Sequence, residues 1–387
     1  MAAKIKVRPE DFIVEELIDV PLADKGTYTI LKLDKKYWNT LDVIDFVCRK
    51  AKVRTSLFDR AGLKDRYAQS TQYLSFKGDF RQTITEANFT LRPIGKSKKA
   101  VNPSMLRGNL FRITIRDLSR DEVEAMDPNL REVLAHGFPN YFDDQRFGSA
   151  RHGQGFIAKK LILEHYQGAL KLLLCHAYKG DSPVERRFKE YCLSHWRDWP
   201  GCARIAPPSY RPILHHLMAH PKDFKNALKT IDREYLNLYL LAYQSYLFNE
   251  TLARLVRKWG EDTMNLKYSM GEFTFHRKVQ QNRPLASTRV PMVNEKTVLS
   301  GPVGACIERV IAKEGITLKR MALAKMRLRG VRFKPFMREA LVFPADITVS
   351  GTEPDDLYAG RNKRFIRCTL PAGTYATILI KRLLLQR

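Results

Sequence analysis

The chain has 387 residues, of which 44% are hydrophobic; this composition allows two or three folded domains and excludes an intrinsically disordered protein. Lys and Arg outnumber Asp and Glu by 67 to 41, which gives a net charge of +26. Such an excess attracts polyanions and makes nucleic acid the first candidate partner, although a basic surface can also serve solubility alone.

The cysteines and the apolar residues indicate the compartment. Six cysteines lie at positions 48, 175, 192, 202, 306 and 368, and none forms the C-x-x-C spacing of zinc or redox sites. The sequence has no apolar run of about 18 residues, so it predicts no membrane span. The basic N-terminus lacks the apolar stretch of a signal peptide. We therefore expect buried thiols in the reducing environment of the cytoplasm.

The first eighty residues predict strands and one helix. Residues 12–16 and 28–33 alternate apolar and polar side chains, and residues 72–76 form another short strand pattern. Asn39 or Thr40 is expected to cap a helix that continues through Val47.

Asp65 lies between Lys64 and Arg66, in a segment that the flanking strand patterns predict to be a loop. If the backbone is extended there, the two cations point away from the face of Asp65. Nearby cations favour the ionised carboxylate, which can serve as a nucleophile or a general base. A turn with a solvated ion pair is the ordinary alternative for such a motif in isolation.

A basic stretch follows this loop. Residues 87–116 hold seven basic side chains and no acid, and they end in an alternating strand. Asn109 and Phe111 share one face of that strand. An amide beside an aromatic ring can bind a base edge while the ring stacks on its plane, but Phe111 can equally be a core residue.

The remainder of the chain is mainly helical before it returns to a strand. Residues 121–136, 150–180 and 220–260 carry helical periodicity. Residues 315–338 hold eight cations and no acid, a pattern as consistent with a phosphate-binding surface as with a solvated helix face. A C-terminal strand over residues 365–370 leads to a helix that Thr374 is expected to cap, with Tyr375 at its start.

Motifs for metals and nucleotide cofactors are missing from the sequence. His216 and His220 have an H-x-x-x-H spacing, with His215 adjacent, but the glutamate of H-E-x-x-H is lacking. No Walker loop, nucleophile elbow or G-x-G-x-x-G occurs. We therefore expect neither a metal nor a cofactor.

Six segments, in one order along nearly the whole chain, resemble the TruD family of tRNA pseudouridine synthases. They are residues 8–16 (RPEDFIVEE), 61–72 (AGLKDRYAQSTQ), 107–111 (RGNLF), 140–148 (NYFDDQRFG), 245–249 (SYLFN) and 370–377 (LPAGTYAT). The second is the most specific, although Ser70 here separates Gln69 from Thr71. The fourth has Asp143 where the family has glycine; aspartate tolerates a positive φ better than most residues do, should that position require one.

The resemblance implies an α+β fold. A pseudouridine synthase catalytic domain, with a mixed, largely antiparallel sheet and helices, would comprise residues 1–149 and 328–387. A mainly helical, TruD-specific domain, residues 150–327, would be inserted between these two segments.

The resemblance also implies site residues. The family's catalytic aspartate corresponds to Asp65, and Lys6 matches a basic residue near the family's active site. The positions that line the target nucleotide correspond to Phe12, Asn109, Phe111 and Tyr375. Phe111 would stack on the uracil and Asn109 would hold its polar edge. Many members have phenylalanine in place of Tyr375, whose ring would pack in the same way.

The implied activity is the isomerisation of a specific uridine of tRNA, uridine 13 in the D-arm, to pseudouridine without a cofactor. The partner would be tRNA, and the enzyme would be a cytoplasmic monomer. Two alternatives stay open: a non-catalytic RNA-binding or chaperone protein on the same scaffold, and the same reaction at another RNA position. A DNA-binding protein is disfavoured because no helix-turn-helix or zinc-finger pattern occurs.

Overall fold

The computed structural model describes residues 3–150, 153–178, 180–280 and 284–386. The chain forms two compact units: unit 1 is Met1–Gly137 with Val342–Arg387, and unit 2 is Phe138–Leu341. Unit 2 is therefore inserted in the sequence of unit 1. The sequence predicted divisions after residues 149 and 327, whereas the compact units divide after residues 137 and 341.

The secondary structure is α+β, as the sequence predicted, and comprises short strands and helices along the whole chain. The strands are β1 (Phe12–Ile18), β2 (Tyr28–Lys35), β3 (Phe58–Arg60), β4 (Gln69–Lys77), β5 (Ile84–Glu86), β6 (Phe89–Ser97), β7 (Leu106–Leu118), β8 (Phe138–Pro139), β9 (Gly260–Glu261), β10 (Met264–Tyr268), β11 (Gly271–Phe275), β12 (Lys278–Val279), β13 (Arg289–Pro291), β14 (Met337–Glu339), β15 (Leu341–Val342), β16 (Ala345–Val349), β17 (Glu353–Pro354) and β18 (Asn362–Pro371). The helices are α1 (Thr40–Ala51), α2 (Arg120–His136), α3 (Ile157–Ile162), α4 (Tyr166–Cys175), α5 (Pro183–Ser194), α6 (Trp199–Ile205), α7 (Arg211–Ala219), α8 (Phe224–Lys229), α9 (Arg233–Trp259), α10 (Gly301–Lys313), α11 (Leu318–Met321) and α12 (Ala376–Leu383).

Unit 1 is built on a ten-stranded sheet with the order β16-β18-β7-β1-β4-β2-β6-β5, to which β17 and β3 add at β18 and β4. The strands pair antiparallel except for β1 and β4, which run parallel. Parallel strands begin at the same edge of a sheet. The segment before β1, which carries Lys6, and the loop before β4, which carries Asp65, are therefore brought to one edge.

Helices α1 and α2 begin where the local signals predict. Asn39 occupies the N-cap position of α1, and the buried residues Val43, Ile44 and Val47 pack that helix onto the apolar side of β2 and β4. Helix α2 begins after Ser119, whose side chain accepts from the Glu122 N–H in a reciprocal capping box.

Helix α12 is fixed to α2 at its C-terminal end. The Asn129 amide donates to the carbonyl oxygens of Leu383 and Leu385, at 2.9 and 2.8 Å. Arg382 is fully buried and pairs with Glu132 at 2.5 Å. These contacts fix the helix that begins next to Tyr375.

Unit 2 is mainly helical, with short two-stranded sheets. Its longest helix, α9, has 27 residues and is buried over most of its turns, as expected for a central helix that is apolar on several faces. Tyr141 packs against Phe273 and Phe275 in β11. The predicted fold class, a largely antiparallel sheet with a mainly helical inserted segment, is confirmed.

Candidate active site

Strand pairing brings residues from four strands of unit 1 onto one face of the sheet. Val14 in β1 pairs with Ser70 in β4 and with Phe111 in β7, and Ser70 pairs in turn with Lys35 in β2. Residues two apart on a strand share a face. The same face therefore also carries Phe12, Glu16, Gln72 and Asn109.

This face contains buried polar atoms that have no hydrogen-bond partner among the described residues. They are Ser70 Oγ, Gln72 Nε2 and Asn109 Oδ1. Buried polar groups are nearly always hydrogen-bonded, and each one left unpaired costs roughly 1–3 kcal/mol. A ligand with complementary polar groups would remove this cost, so the face has the character of a binding surface.

Lys35 lies beneath the loop that carries Asp65 and is only 3% exposed. Its ammonium group donates to the carbonyl oxygens of Lys64 and Asp65, at 3.3 and 2.9 Å. Burial lowers the pKa of Lys35 to about 8, although the negative charge of Asp65 opposes this shift. The loop therefore rests on a buried cation.

The residues on either side of Asp65 are held by other partners. Lys64 donates from Nζ to the buried Glu16 carboxylate at 2.7 Å and from its backbone N–H to Thr40 Oγ1 at 3.1 Å. Arg66 donates from Nε to the Tyr37 carbonyl oxygen at 3.1 Å. Lys64 and Arg66 are thus engaged away from the Asp65 carboxylate, and the loop conformation is fixed at both flanks.

The Asp65 carboxylate is paired with Lys6, whose Nζ lies 2.5 Å from Oδ2, and the Asp65 side chain keeps 34% of its surface exposed. Lys6 adopts a left-handed φ of 62°, and its Nζ also lies 4.3 Å from the centre of the Phe12 ring. The segment between them is anchored by the buried Arg116, which donates to Asp11 at 2.9 Å. The site therefore presents an aspartate that is bonded to one ammonium group and is still partly accessible to solvent.

Two of the predicted nucleotide-lining rings touch each other. Phe12 and Phe111 meet edge to face, with ring centres 5.8 Å apart. They are 6% and 7% exposed, and Asn109, two residues before Phe111, is 8% exposed. Lys6, Phe12, Asp65 and Phe111 therefore form one connected group. The structure places Phe111 in a buried position, as expected for a core residue, and its role in stacking stays a prediction.

Tyr375 is positioned by the end of β18, whose residues Leu370 and Pro371 pair with Asn109 and Gly108. It occupies the N-cap position of α12 and is half-buried. The expectation that Thr374 caps this helix is wrong: α12 begins one residue later, and the buried Thr374 Oγ1 has no partner among the described residues.

The sequence analysis did not identify Glu16 and Lys35 as site residues. Each is a charged residue at a buried position of an alternating strand. That is the signal that could have singled them out, because buried charges are rare unless they are paired. Their partners lie 48 and 29 to 30 residues away in sequence, so no local pattern connects them.

Three of the seven basic side chains in the stretch 87–116 are paired with acids within unit 1. Arg116 is only 6% exposed and pairs with Asp11, Asp355 and Asp356. Lys96 pairs with Asp79, and Arg107 pairs with Asp19. The acids responsible lie outside the stretch, so a charge run alone did not reveal them.

Asp143, which stands where the family motif has glycine, does not use a left-handed backbone, since it is absent from the described residues with positive φ. Its carboxylate accepts the N–H of Asp144 at 2.8 Å, and its carbonyl oxygen accepts the N–H of Arg146. The substitution is therefore accommodated as a local turn.

Other features of the described residues are structural. The six cysteines are buried and free, and His216 pairs with Asp223 at 3.1 Å. No group of His, Cys, Asp and Glu side chains in the described ranges is arranged to hold a metal ion. No helix in these ranges has both the length and the apolar character needed to cross a membrane.

The sequence matches known proteins over nearly its whole length. Residues 1–383 match the family model for tRNA pseudouridine synthase D (TruD). A probable tRNA pseudouridine synthase D 2 of Methanocaldococcus jannaschii is 32% identical, over 98% of this chain and 91% of that protein. A tRNA pseudouridine synthase D of Aquifex aeolicus is 28% identical, over 99% and 98% of the two chains.

The fold also has a solved counterpart. The crystal structure of the putative tRNA pseudouridine synthase D from Methanosarcina mazei superimposes with a TM-score of 0.71 at 23% identity, and the alignment covers 99% of this chain and 93% of that one. The family match spans nearly the whole sequence, and the fold agrees with it. The chain belongs to the tRNA pseudouridine synthase D (TruD) family.

Proposed function

We propose that this protein isomerises one uridine of tRNA, uridine 13 in the D-arm, to pseudouridine, with Asp65 as the catalytic carboxylate and without a cofactor. The observation that carries the proposal is the position of Asp65. Its partly exposed carboxylate is paired with Lys6 at 2.5 Å, on a loop docked by Lys35 and Glu16. Unpartnered polar atoms lie on the sheet face to which that loop is docked.

The reaction exchanges one bond to the ribose for another. The C1′–N1 bond of uridine breaks, the uracil turns, and a C1′–C5 bond forms; N1 gains a proton and C5 loses one. Asp65 would either attack C1′ or take a proton from the ribose so that a glycal forms. A substrate with deuterium at C2′ separates these routes. Only the glycal route breaks the bond between C2′ and its hydrogen, so only that route slows on deuteration.

The proposed contacts to the uridine follow from the chemistry of the face. A uridine must leave its stack to reach the carboxylate, and stacking on an aromatic ring is worth roughly 1–3 kcal/mol per base. Phe111 and Tyr375 would supply such contacts, with Phe12 supporting Phe111 edge to face. The unpartnered Asn109 Oδ1 can accept the N3–H of uracil.

The cellular setting is part of the proposal. We assign tRNA as the partner and a monomer as the active form, with unit 2 as the family's inserted domain. The free, buried cysteines fit the reducing cytoplasm, where disulfides are rare. Light scattering of the purified protein would measure the monomer mass directly.

Pseudouridine mapping tests the reaction and its site together. An unmodified tRNA pool is incubated with the protein, treated with a carbodiimide and read by primer extension. We expect one new stop at a D-arm uridine with wild type and with Asp59→Asn, an exposed carboxylate in β3 that serves as the control. We expect none with Asp65→Asn. Stops elsewhere would redirect the target position, and no stop alongside tight RNA binding would favour the chaperone alternative.

A further inference from the structure

We propose that a pocket in unit 2, bordered by the basic segment 317–334, binds an unpaired nucleotide of the substrate RNA. This inference rests on the proposed tRNA function and adds a second RNA-binding site to it. The pocket and the basic segment belong to unit 2, whereas Asp65 and its partners belong to unit 1.

The basic segment is an ordered strip that presents its charges outward. It runs from the start of α11 to the residues before β14, mostly without regular structure. Five apolar side chains fix it to the core of unit 2 and are at most 7% exposed: Met321, Leu323, Met326, Val331 and Phe333. Leu323 and Arg327 adopt left-handed φ values of 51° and 47°, which turn the chain so that apolar and basic side chains separate.

Most of its cations have no acidic partner. Lys325 pairs with Glu164 at 2.6 Å. The exposed cations without an ion pair among the described residues are Lys319, Arg320, Arg327, Arg329, Arg332 and Lys334. The stretch 87–116 is more fully paired, because three of its seven cations, Lys96, Arg107 and Arg116, are paired with acids within unit 1. Like charges that are held close together without counter-charges repel one another. A polyanionic partner would relieve this repulsion, so such a strip favours the binding of nucleic acid.

Helix α9 holds the second half of the strip in place. The Asn237 side chain donates to the Gly330 carbonyl oxygen at 3.2 Å and accepts the Arg332 N–H at 3.3 Å. The buried Gln244 amide donates to the Lys334 carbonyl oxygen at 2.9 Å. The backbone that carries these cations is therefore held in place before any ligand binds, which lowers the entropic cost of binding.

The pocket has a volume of about 380 Å³, within the range of small-ligand sites. Its apolar lining residues are Leu161, Ile162, Leu323 and Met326. Its charged lining residues are Lys319, Arg320, Lys325 and Glu164, and Lys325 neutralises Glu164. Tyr166 also lines it, and the buried Tyr166 hydroxyl has no hydrogen-bond partner among the described residues. An aromatic and apolar interior, one unpartnered hydroxyl and the two unpaired cations Lys319 and Arg320 match the flat face, polar edge and phosphates of a nucleotide.

A filling variant tests occupancy of the pocket. Ala324 lines the pocket and is exposed, so Ala324→Trp blocks it without removing a charge. We expect tRNA affinity to fall about tenfold, the loss of one stacked base, with an unchanged salt dependence. Tyr166→Phe should weaken binding about threefold to tenfold through the lost hydroxyl. It should not lower the melting temperature, because that hydroxyl has no partner to lose. Wild-type affinity in both variants would overturn the proposal.

A charge variant tests the charged lining of the pocket. Lys319→Ala/Arg320→Ala should weaken tRNA binding and reduce the slope of log Kd against log salt by roughly 1 to 2. The matched control is Arg186→Ala/Arg187→Ala on α5, which removes two exposed cations that also lack an ion pair among the described residues. Equal effects of the two double variants would show a general charge effect and would contradict a specific site.

These outcomes are separable from those of the proposed function. Turnover of tRNA by the wild type, and its loss in Asp65→Asn, decide the reaction. Binding of unmodified tRNA by the pocket variants, measured with the full chain, decides the pocket. Turnover without any effect of the pocket variants on binding would remove the second site and leave the reaction standing. If the pocket variants weaken RNA binding but the wild type shows no turnover, the second binding site would stand and the proposed reaction would be removed.

Discussion

Lys35 shows how a single buried residue can control the Asp65 loop. It is almost fully enclosed, yet it donates to two carbonyl oxygens of that loop. Burial lowers its pKa from 10.5 to about 8, although the attraction of Asp65 opposes this shift. A cation kept buried despite this shift is better explained by a role in positioning Asp65 than by stability.

Replacement of Lys35 should separate these two roles. In Lys35→Met the buried charge is lost at similar volume, so we expect the melting temperature to stay the same or rise. The carbonyl oxygens of Lys64 and Asp65 lose their donor, so kcat should fall at least about tenfold. Thermal melts and single-turnover kinetics measure both quantities. A large drop in melting temperature would instead assign Lys35 a structural role.

The pH dependence of activity follows from the same pKa. Between pH 8 and 10.5, Lys35 is neutral in the folded protein and protonated in the unfolded chain, so this residue makes stability rise with pH in that window. Activity should move the other way, decreasing a few-fold above pH 8 as the charge-assisted bonds to the loop weaken. In Lys35→Arg the charge persists and this decrease should disappear. The same basic limb in wild type and Lys35→Arg would refute the assignment.

At the scale of one residue, the sequence predicted Asp65 as a candidate catalytic residue but did not predict the contacts that hold its side chain and its loop. Asp65 stood out because two cations flank it and a family motif surrounds it. Its contacts with Lys6 and Lys35 depend on residues 59 and 30 positions away. The expected Thr374 cap was wrong, because Tyr375 occupies the N-cap position and no side chain of the described residues caps α12.

At the scale of elements, the parallel pairing of β1 with β4 organises the site. It places Glu16 on the same face as Asn109 and Gln72, next to the loop that precedes β4. Elements with a strong local pattern, such as α1, α2 and β2, were predictable from their own residues. The register between strands was not, since it depends on partners far apart in sequence.

The link from β1 to the Asp65 loop is the buried pair of Glu16 and Lys64, whose side chains are 0% and 10% exposed. Glu16→Gln leaves the Lys64 ammonium without a counter-charge, so we expect a loss of about 3 kcal/mol in urea unfolding. Glu16→Gln/Lys64→Gln should recover part of this loss. A double-mutant cycle with no coupling between the two positions would contradict the pair's role.

At the scale of the whole molecule, the effect of the net charge of +26 on RNA binding depends on which cations are left without an acidic partner. In the stretch 87–116, the cations Lys96, Arg107 and Arg116 are paired with acids of unit 1. In the segment 317–334, only Lys325 has an acidic partner among the described residues. Composition alone predicted a nucleic-acid partner. It could not show which cations are free, because that depends on acids brought close by the fold.

Binding of tRNA should therefore depend steeply on salt. Each phosphate contact releases counterions, so several contacts should weaken binding about a hundredfold or more between 50 and 200 mM salt, with log Kd linear in log salt. Filter binding with Asp65→Asn measures the salt dependence of tRNA affinity, because we expect this variant to bind tRNA without turnover. The substitution removes no cation, so the phosphate contacts are retained. A flat response would exclude phosphate contacts as the main source of affinity.

The central claim, that Asp65 isomerises a tRNA uridine, is tested most directly by release of tritium from tRNA transcribed with [5-³H]uridine, since C5 exchanges its hydrogen for the bond to C1′. We predict release of up to one tritium per tRNA by wild type and by Asp59→Asn, and release at least about a thousandfold slower by Asp65→Asn. Release by Asp65→Asn within tenfold of wild type would contradict the assignment of Asp65, and no release by wild type would contradict the proposed reaction on tRNA.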